Sequence, residues 1–134
     1  MNLHKDKIAK ILHNKKICIV GTGGCAREVF TYIFDMLNVV KLHNKKNVVF
    51  LDKDEKVSVD MQVMGCRVIK ESDFDDKLYL VVLAIGDSEI RKKVFAKYRF
   101  CKFIPVIHPS AIISNYSKIG KGCIVAPNCV IGQM

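Results

Sequence analysis

The residues best placed to do chemistry fall in three short segments. Gly21-Thr22-Gly23-Gly24-Cys25-Ala26 satisfies the loose G-x-G-x-x-A pattern. Glycines at that spacing let backbone N–H groups approach a diphosphate at the amino end of a following helix, where unpaired amides and the helix dipole favour an anion. The same residues also make a tight turn that serves packing alone, and the motif by itself leaves both readings open. Asp52 ends an apolar run and could accept hydrogen bonds from a ribose or a base, or could be a solvated turn acid. Gly86-Asp87-Ser88 follows another apolar run, and Asp87 or Ser88 can cap the helix after it.

The remaining titratable residues point away from catalysis. His108 stands beside Pro109, where the texture of the chain changes, and a structural role is expected for it. His4, His13 and His43 lie in polar, Lys-rich surroundings and are expected to face solvent. No general base has a supporting motif, so no catalytic residue is assigned. The six cysteines (18, 25, 66, 101, 123 and 129) form no C-x-x-C and no paired spacing with histidine. They are expected to be free, mostly buried thiols with neither a disulfide nor a metal site.

These segments need elements to hold them. Lys16–Val20 is too short for a helix and rich in β-branched residues, which predicts a buried parallel strand running into the glycine turn. From Ala26 the spacing of Val29, Ile33, Phe34 and Leu37 predicts an amphipathic helix ending near 38–40. Val48–Leu51 reads as a second strand, and Val63–Ile69, with Gly65, as an irregular hairpin or connecting strand. Leu78–Ile85 is the most apolar stretch and is expected at the centre of the sheet. A helix over Glu89–Tyr98 and a strand over Lys102–Val106 complete the pattern. The result is an α/β fold, a small Rossmann-like parallel sheet with ligands expected at the carboxyl ends of its strands.

Beyond residue 106 a period of six takes over. Ile107, Ile113, Ile119, Val125 and Ile131 recur every sixth residue, and Ala111, Ser117, Cys123 and Cys129 keep a small residue four positions later. This is a hexapeptide β-helix repeat, with the aliphatic and the small residue both expected to point inward. The expected organisation is a helical extension over 1–15, a Rossmann-like domain over 16–106 and the first coils of a left-handed β-helix over 107–134. About eighteen residues make a coil, so the array ends after roughly one and a half. That predicts a C-terminally truncated chain.

Composition removes several classes. Half the residues are hydrophobic and both charge signs are present, which excludes a disordered chain. No apolar run is long enough for a membrane helix, and the Lys-rich start lacks the pattern of a secretory signal. A cytoplasmic protein without membrane attachment is expected. The net charge of +9 comes mainly from lysines scattered in pairs such as Lys15–Lys16, Lys45–Lys46 and Lys92–Lys93, which does not favour a nucleic-acid partner.

Four motifs occur in order: Gly21-Thr-Gly-Gly-Cys-Ala-Arg-Glu-Val29, Val49-Phe-Leu-Asp-Lys53, Ala84-Ile-Gly-Asp-Ser-Glu-Ile-Arg-Lys92 and Ile107-His-Pro-Ser-Ala-Ile112. From Lys16 onward the chain resembles the sugar O-/N-acyltransferases typified by the sialic acid O-acetyltransferases and the bacillosamine-pathway N-acetyltransferase. The resemblance implies acetyl transfer from acetyl-CoA to a nucleotide-activated sugar, without a metal, by homotrimers that bind the donor between neighbouring prisms. It implies a nucleotide-sugar site of Gly21, Gly23, Gly24, Cys25, Asp52, Lys53, Gly86 and Asp87. Cys25 stands where the family often has histidine, and Arg27 follows the family's loop pattern. The family's general base is a histidine on a later coil. This chain is therefore expected to hold the substrate without catalysing alone, and to be a monomer or to associate differently. An NAD(P)- or CoA-binding Rossmann module and a non-catalytic nucleotide sensor are the alternatives.

Overall fold

The computed structural model describes residue 10 and residues 12–132. Residues 10 and 12–14 are helical, Lys15 is not, and residues 1–9 and 11 of the expected helical extension lie outside the described residues.

Alternation along the strands explains the architecture. In β1 (Lys16–Val20), Ile17 and Ile19 face one side of the sheet while Cys18 and Val20 face the other. The first side is covered by α1 (Gly24–Val39) through Ala26, Val29, Phe30 and Ile33. The second is covered by α2 (Ser88–Tyr98), whose Val94, Phe95 and Tyr98 pack on Cys18, Val81 and their neighbours. Both faces being buried explains why the strands read as continuous apolar runs.

Three more strands run parallel to β1: β2 (Val48–Asp52), β4 (Cys66–Lys70) and β5 (Tyr79–Leu83). A short β3 (Gln62–Val63) pairs antiparallel with β4. Met64 and Gly65 between them both have positive φ, the mirror-image turn that suits a two-residue hairpin. The order across the sheet is β3-β4-β2-β1-β5. The chain leaves β1 toward β2 on one side and returns as β5 on the other, so β1 and β5 flank the point where the winding reverses.

Two expectations are corrected here. The apolar run ending in Ile85 forms β5 at the end of the sheet order, not at its centre. It is nevertheless buried, because α2 covers one face and the segment after it lies along the open edge. Val81 N–H donates to the Lys102 carbonyl at 2.8 Å, and Val81 bridges Phe103. Apolarity reported burial, which a covered edge shares with a centre. The strand expected over Lys102–Val106 reduces to that bridge, and its last residue opens a different ladder.

That ladder is the first coil. β6 (Val106–Ile107) pairs parallel with β8 (Ile124–Val125), and β7 (Ile112–Ile113) with β9 (Val130–Ile131). Every pair joins residues 18 apart, as in Val106 with Ile124 and Ile113 with Ile131. The six-residue period thus closes into three-sided coils, the start of a β-helix. All five periodic aliphatics share one cluster, with Ile107, Ile113 and Val125 buried and Ile119 and Ile131 packed against them. Ala111 and Cys123 join them, but Cys129, expected inside, is exposed. No coil stacks over it among the described residues.

Candidate functional site

The carboxyl ends of β1, β2 and β5 open into one cleft of about 790 Å³. Its centre is the glycine turn. Gly21 has φ +120°, and a Cβ there would lie 3.0 Å from the Ala84 carbonyl oxygen, so backbone geometry and packing against the end of β5 both demand glycine. Gly23 and Gly24 differ. Neither has a positive φ, and a Cβ on either would meet no atom within 4 Å. Nothing inside the protein requires these two to be small, and both face the cleft.

Gly23 is also the N-cap of α1 and offers no side chain to its first turn. The leading N–H groups of α1 therefore have no intrahelical or capping partner and stand at the cleft. Arg27 contributes at the edge of this turn, its Nε donating to the Thr22 carbonyl at 3.4 Å.

Asp52 holds the turn in place. Thr22 Oγ1 donates to its Oδ2 at 2.5 Å, and the Lys53 N–H donates to its Oδ1 at 2.8 Å. Each carboxylate oxygen retains a second lone pair for a ligand hydroxyl or amide. The opposite wall comes from α2, where Ile90, Lys93, Val94 and Lys97 face the cleft. Lys53 and Lys56 add two more cations, and Lys97 is ion-paired to Glu71. Tyr98, buried beneath this wall, has its phenol pushed up to about 12, chiefly by burial and then by the nearby Cys18 and Cys101 thiols. Just outside, hydrogen bonds from Ser72 lower the Asp54 carboxyl below its ordinary range.

The structure thus brings Gly21, Gly23, Gly24, Cys25, Asp52, Lys53 and Gly86 to one cleft. Asp87 is not among its lining. Its Oδ1 accepts from the N–H groups of Glu89 at 2.9 Å and Ile90 at 3.0 Å, so it is the N-cap of α2. Sequence reasoning missed Thr22, Lys56, Lys93 and Lys97. The last two were within reach, because Ile90, Lys93, Val94 and Lys97 keep the i, i+3, i+4, i+7 spacing of one helix face.

The cysteines and His108 lie in structural roles or at the margin. All six thiols are free; Cys18 and Cys66 are buried, and burial raises both. The expectation of mostly buried thiols is corrected: Cys101 and Cys123 are partly exposed, and Cys129 and Cys25, beside the glycine turn, are exposed. His108 joins the two parts of the molecule. Its Nε2 is 2.8 Å from Asp35 Oδ2 on α1, and its Nδ1 accepts the Ser110 N–H at 3.1 Å. Ser110 Oγ lies 2.8 Å from the same Nδ1 and accepts the Asn128 N–H from the next coil. With Nδ1 accepting, Nε2 carries the proton given to Asp35. Among the described residues no cluster of three metal-ligating side chains occurs, and no helix is long and apolar enough to cross a membrane.

The chain is 29% identical over 116 residues to the UDP-N-acetylbacillosamine N-acetyltransferase of Bacillus subtilis (strain 168), covering 83% of this chain and 51% of that protein. The acetyltransferase domain of PglB from Neisseria gonorrhoeae FA1090 superposes with a TM-score of 0.66 at 25% identity, over 87% of this chain and 56% of that one. PerB from Caulobacter crescentus, solved with CoA and GDP-perosamine, gives a TM-score of 0.66 at 26% identity over 87% and 54%. The chain therefore spans about half the length of these relatives. The PglD N-terminal domain family matches residues 16–98, from the first residue of β1 to the last of α2. That match takes in every element lining the cleft, and the chain belongs to the PglD N-terminal domain family.

Proposed function

We propose that this chain holds the substrate of a nucleotide-sugar N-acetyltransferase, with acetyl-CoA as the donor. The α/β unit over 16–106 would bind the nucleotide part of an activated amino sugar, and the coils over 107–134 would begin the β-helix. The observation that carries this is the pair Gly23 and Gly24: they are glycine without internal need, at the uncapped start of a helix. Space kept free beside unpaired amides suits a diphosphate. Lys53, Lys56 and Lys93 supply cations around it, and Asp52 presents acceptors for a ribose or base.

Three relatives support the choice of reaction, since two are named for acetyl transfer and the third, PerB, was solved with both CoA and a nucleotide sugar. Acetyl-CoA, when bound, supplies the acetyl group. The only imidazole of the described coils, His108, is engaged by Asp35 and Ser110, so no transfer step is assigned to this stretch. Assembly fits the same reading: Ile112 and Val130 pair side by side on the outside of the coil and are 65% and 72% exposed, an apolar strip available to further copies.

Calorimetric titration of the folded chain with UDP-sugars, GDP-sugars, UDP and NADH tests the proposal. Submillimolar binding of a nucleotide sugar is expected. No binding below millimolar would overturn it, and tighter binding of NADH than of any nucleotide sugar would make this a dinucleotide module instead.

A further inference from the structure

A second cavity of about 790 Å³ lies at the other end of the sheet. Lys15, immediately before β1, and Leu80, near the start of β5, place it at the amino ends of the strands. The five residues of β1 separate it from the glycine turn by roughly 16 Å, and it shares no lining residue with that cleft. We propose that this cavity is a separate binding site for a nucleoside phosphate.

Charge is the first argument. Lys10, Lys15, Lys102 and Lys121 all line the cavity, and none of its described lining residues is acidic. Ammonium groups gathered around one concavity repel each other and raise the local positive potential, which an anion relieves. Lys121 is held in place, with its Nζ donating to the Arg99 carbonyl at 2.6 Å and lying 4.9 Å from the Phe103 ring centre. It fixes one cation over the cavity wall.

Aromatic surface is the second argument, and it selects the class of anion. Phe100 is 86% exposed, an unusual state for a phenylalanine, and the Arg99 guanidinium lies 4.7 Å from its ring centre. Phe103 forms part of the same wall. An exposed ring beside clustered cations matches a ligand with a flat base at one end and phosphate at the other. The volume is that of a small-molecule site. An inorganic anion would use the lysines and leave Phe100 without purpose.

The test is an amide-resolved 1H–15N titration of the full chain with ADP, adenosine and pyrophosphate. ADP is expected to shift Phe100–Phe103 and Lys121 saturably, with adenosine and pyrophosphate each at least tenfold weaker. Lys102→Glu together with Lys10→Glu, both exposed positions, is expected to weaken ADP by roughly tenfold at these amides. Phe100→Ser is expected to weaken ADP severalfold and leave pyrophosphate unchanged. Shifts confined to Gly21–Ala26, or pyrophosphate binding as well as ADP, would overturn the proposal. So would a short single-stranded oligonucleotide binding more tightly than ADP through the same amides. Retained dispersion of the remaining spectrum identifies folded variants, and Lys102→Gln serves where Lys102→Glu does not fold.

Discussion

Two helices start at the same edge of this sheet, and they start differently. α2 is capped by Asp87, whose carboxylate occupies the N–H groups of Glu89 and Ile90. α1 begins at Gly23, which offers its first turn nothing. Both follow a strand, and both carry glycine just before or at the cap. The difference teaches where a ligand belongs. A helix start that satisfies itself has closed its anion site; one left bare beside open space has kept it available.

Exchanging these properties should exchange the behaviour. Gly23→Asp would give α1 a cap like that of α2 and set a carboxylate where the diphosphate is proposed. Nucleotide affinity is expected to fall by about a hundredfold, since like charges at close range cost several kcal/mol. Stability is expected to hold or to rise by a few tenths of a kcal/mol, because aspartate caps slightly better than glycine. Calorimetry and urea unfolding measure the two effects separately.

Next in size is the tie between the turn and Asp52. Thr22→Val keeps the shape but removes the hydroxyl donated to Asp52. The loss of about 1–1.5 kcal/mol of ordering should weaken the nucleotide by up to about tenfold in the same titration. Asp87→Ala should show the opposite signature to Gly23→Asp. It is expected to cost about 1 kcal/mol of stability, read from the urea midpoint, while nucleotide affinity stays within a factor of two.

A separate effect, on stability and not on binding, concerns the α2 wall at high pH. Burial favours the neutral phenol of Tyr98, whose pKa rises to about 12 from an ordinary value near 10. Its stabilising contribution is complete below the unfolded value and is lost as pH climbs through the folded one. Stability should therefore decline between about pH 10 and 12, and Tyr98→Phe should flatten that decline in thermal melts taken across the range.

Much of this was readable from the chain because its signals are local. The apolar run of β1 feeding the glycine turn, the helical spacing of α1 and the six-residue repeat each lie within a single segment. The repeat even carried the register: a period of six in a three-sided coil gives the observed pairing of residues 18 apart. What could not be read depends on distant parts of the chain. β5 looked central because its burial comes from α2 and from the return of Lys102–Phe103 along its edge. Asp87, by contrast, was legible as a cap, and two amides of the next turn claim it, although the resemblance set it in the cleft. The Thr22–Asp52 bond joins residues 30 apart, and no spacing rule announces it. Cys129 keeps the small-residue position of the repeat, but only a stacked coil would bury it.

If the uncapped start of α1 holds the diphosphate, its leading amides must respond when a nucleotide binds. Titrating UDP into isotope-labelled protein and following backbone amides tests it most directly. The largest shifts are expected at Gly23, Gly24, Cys25 and Ala26, with Glu89 nearly unmoved because Asp87 already occupies its N–H. Equal shifts at both helix starts, or saturable UDP binding that leaves Gly23–Ala26 unmoved, would contradict it.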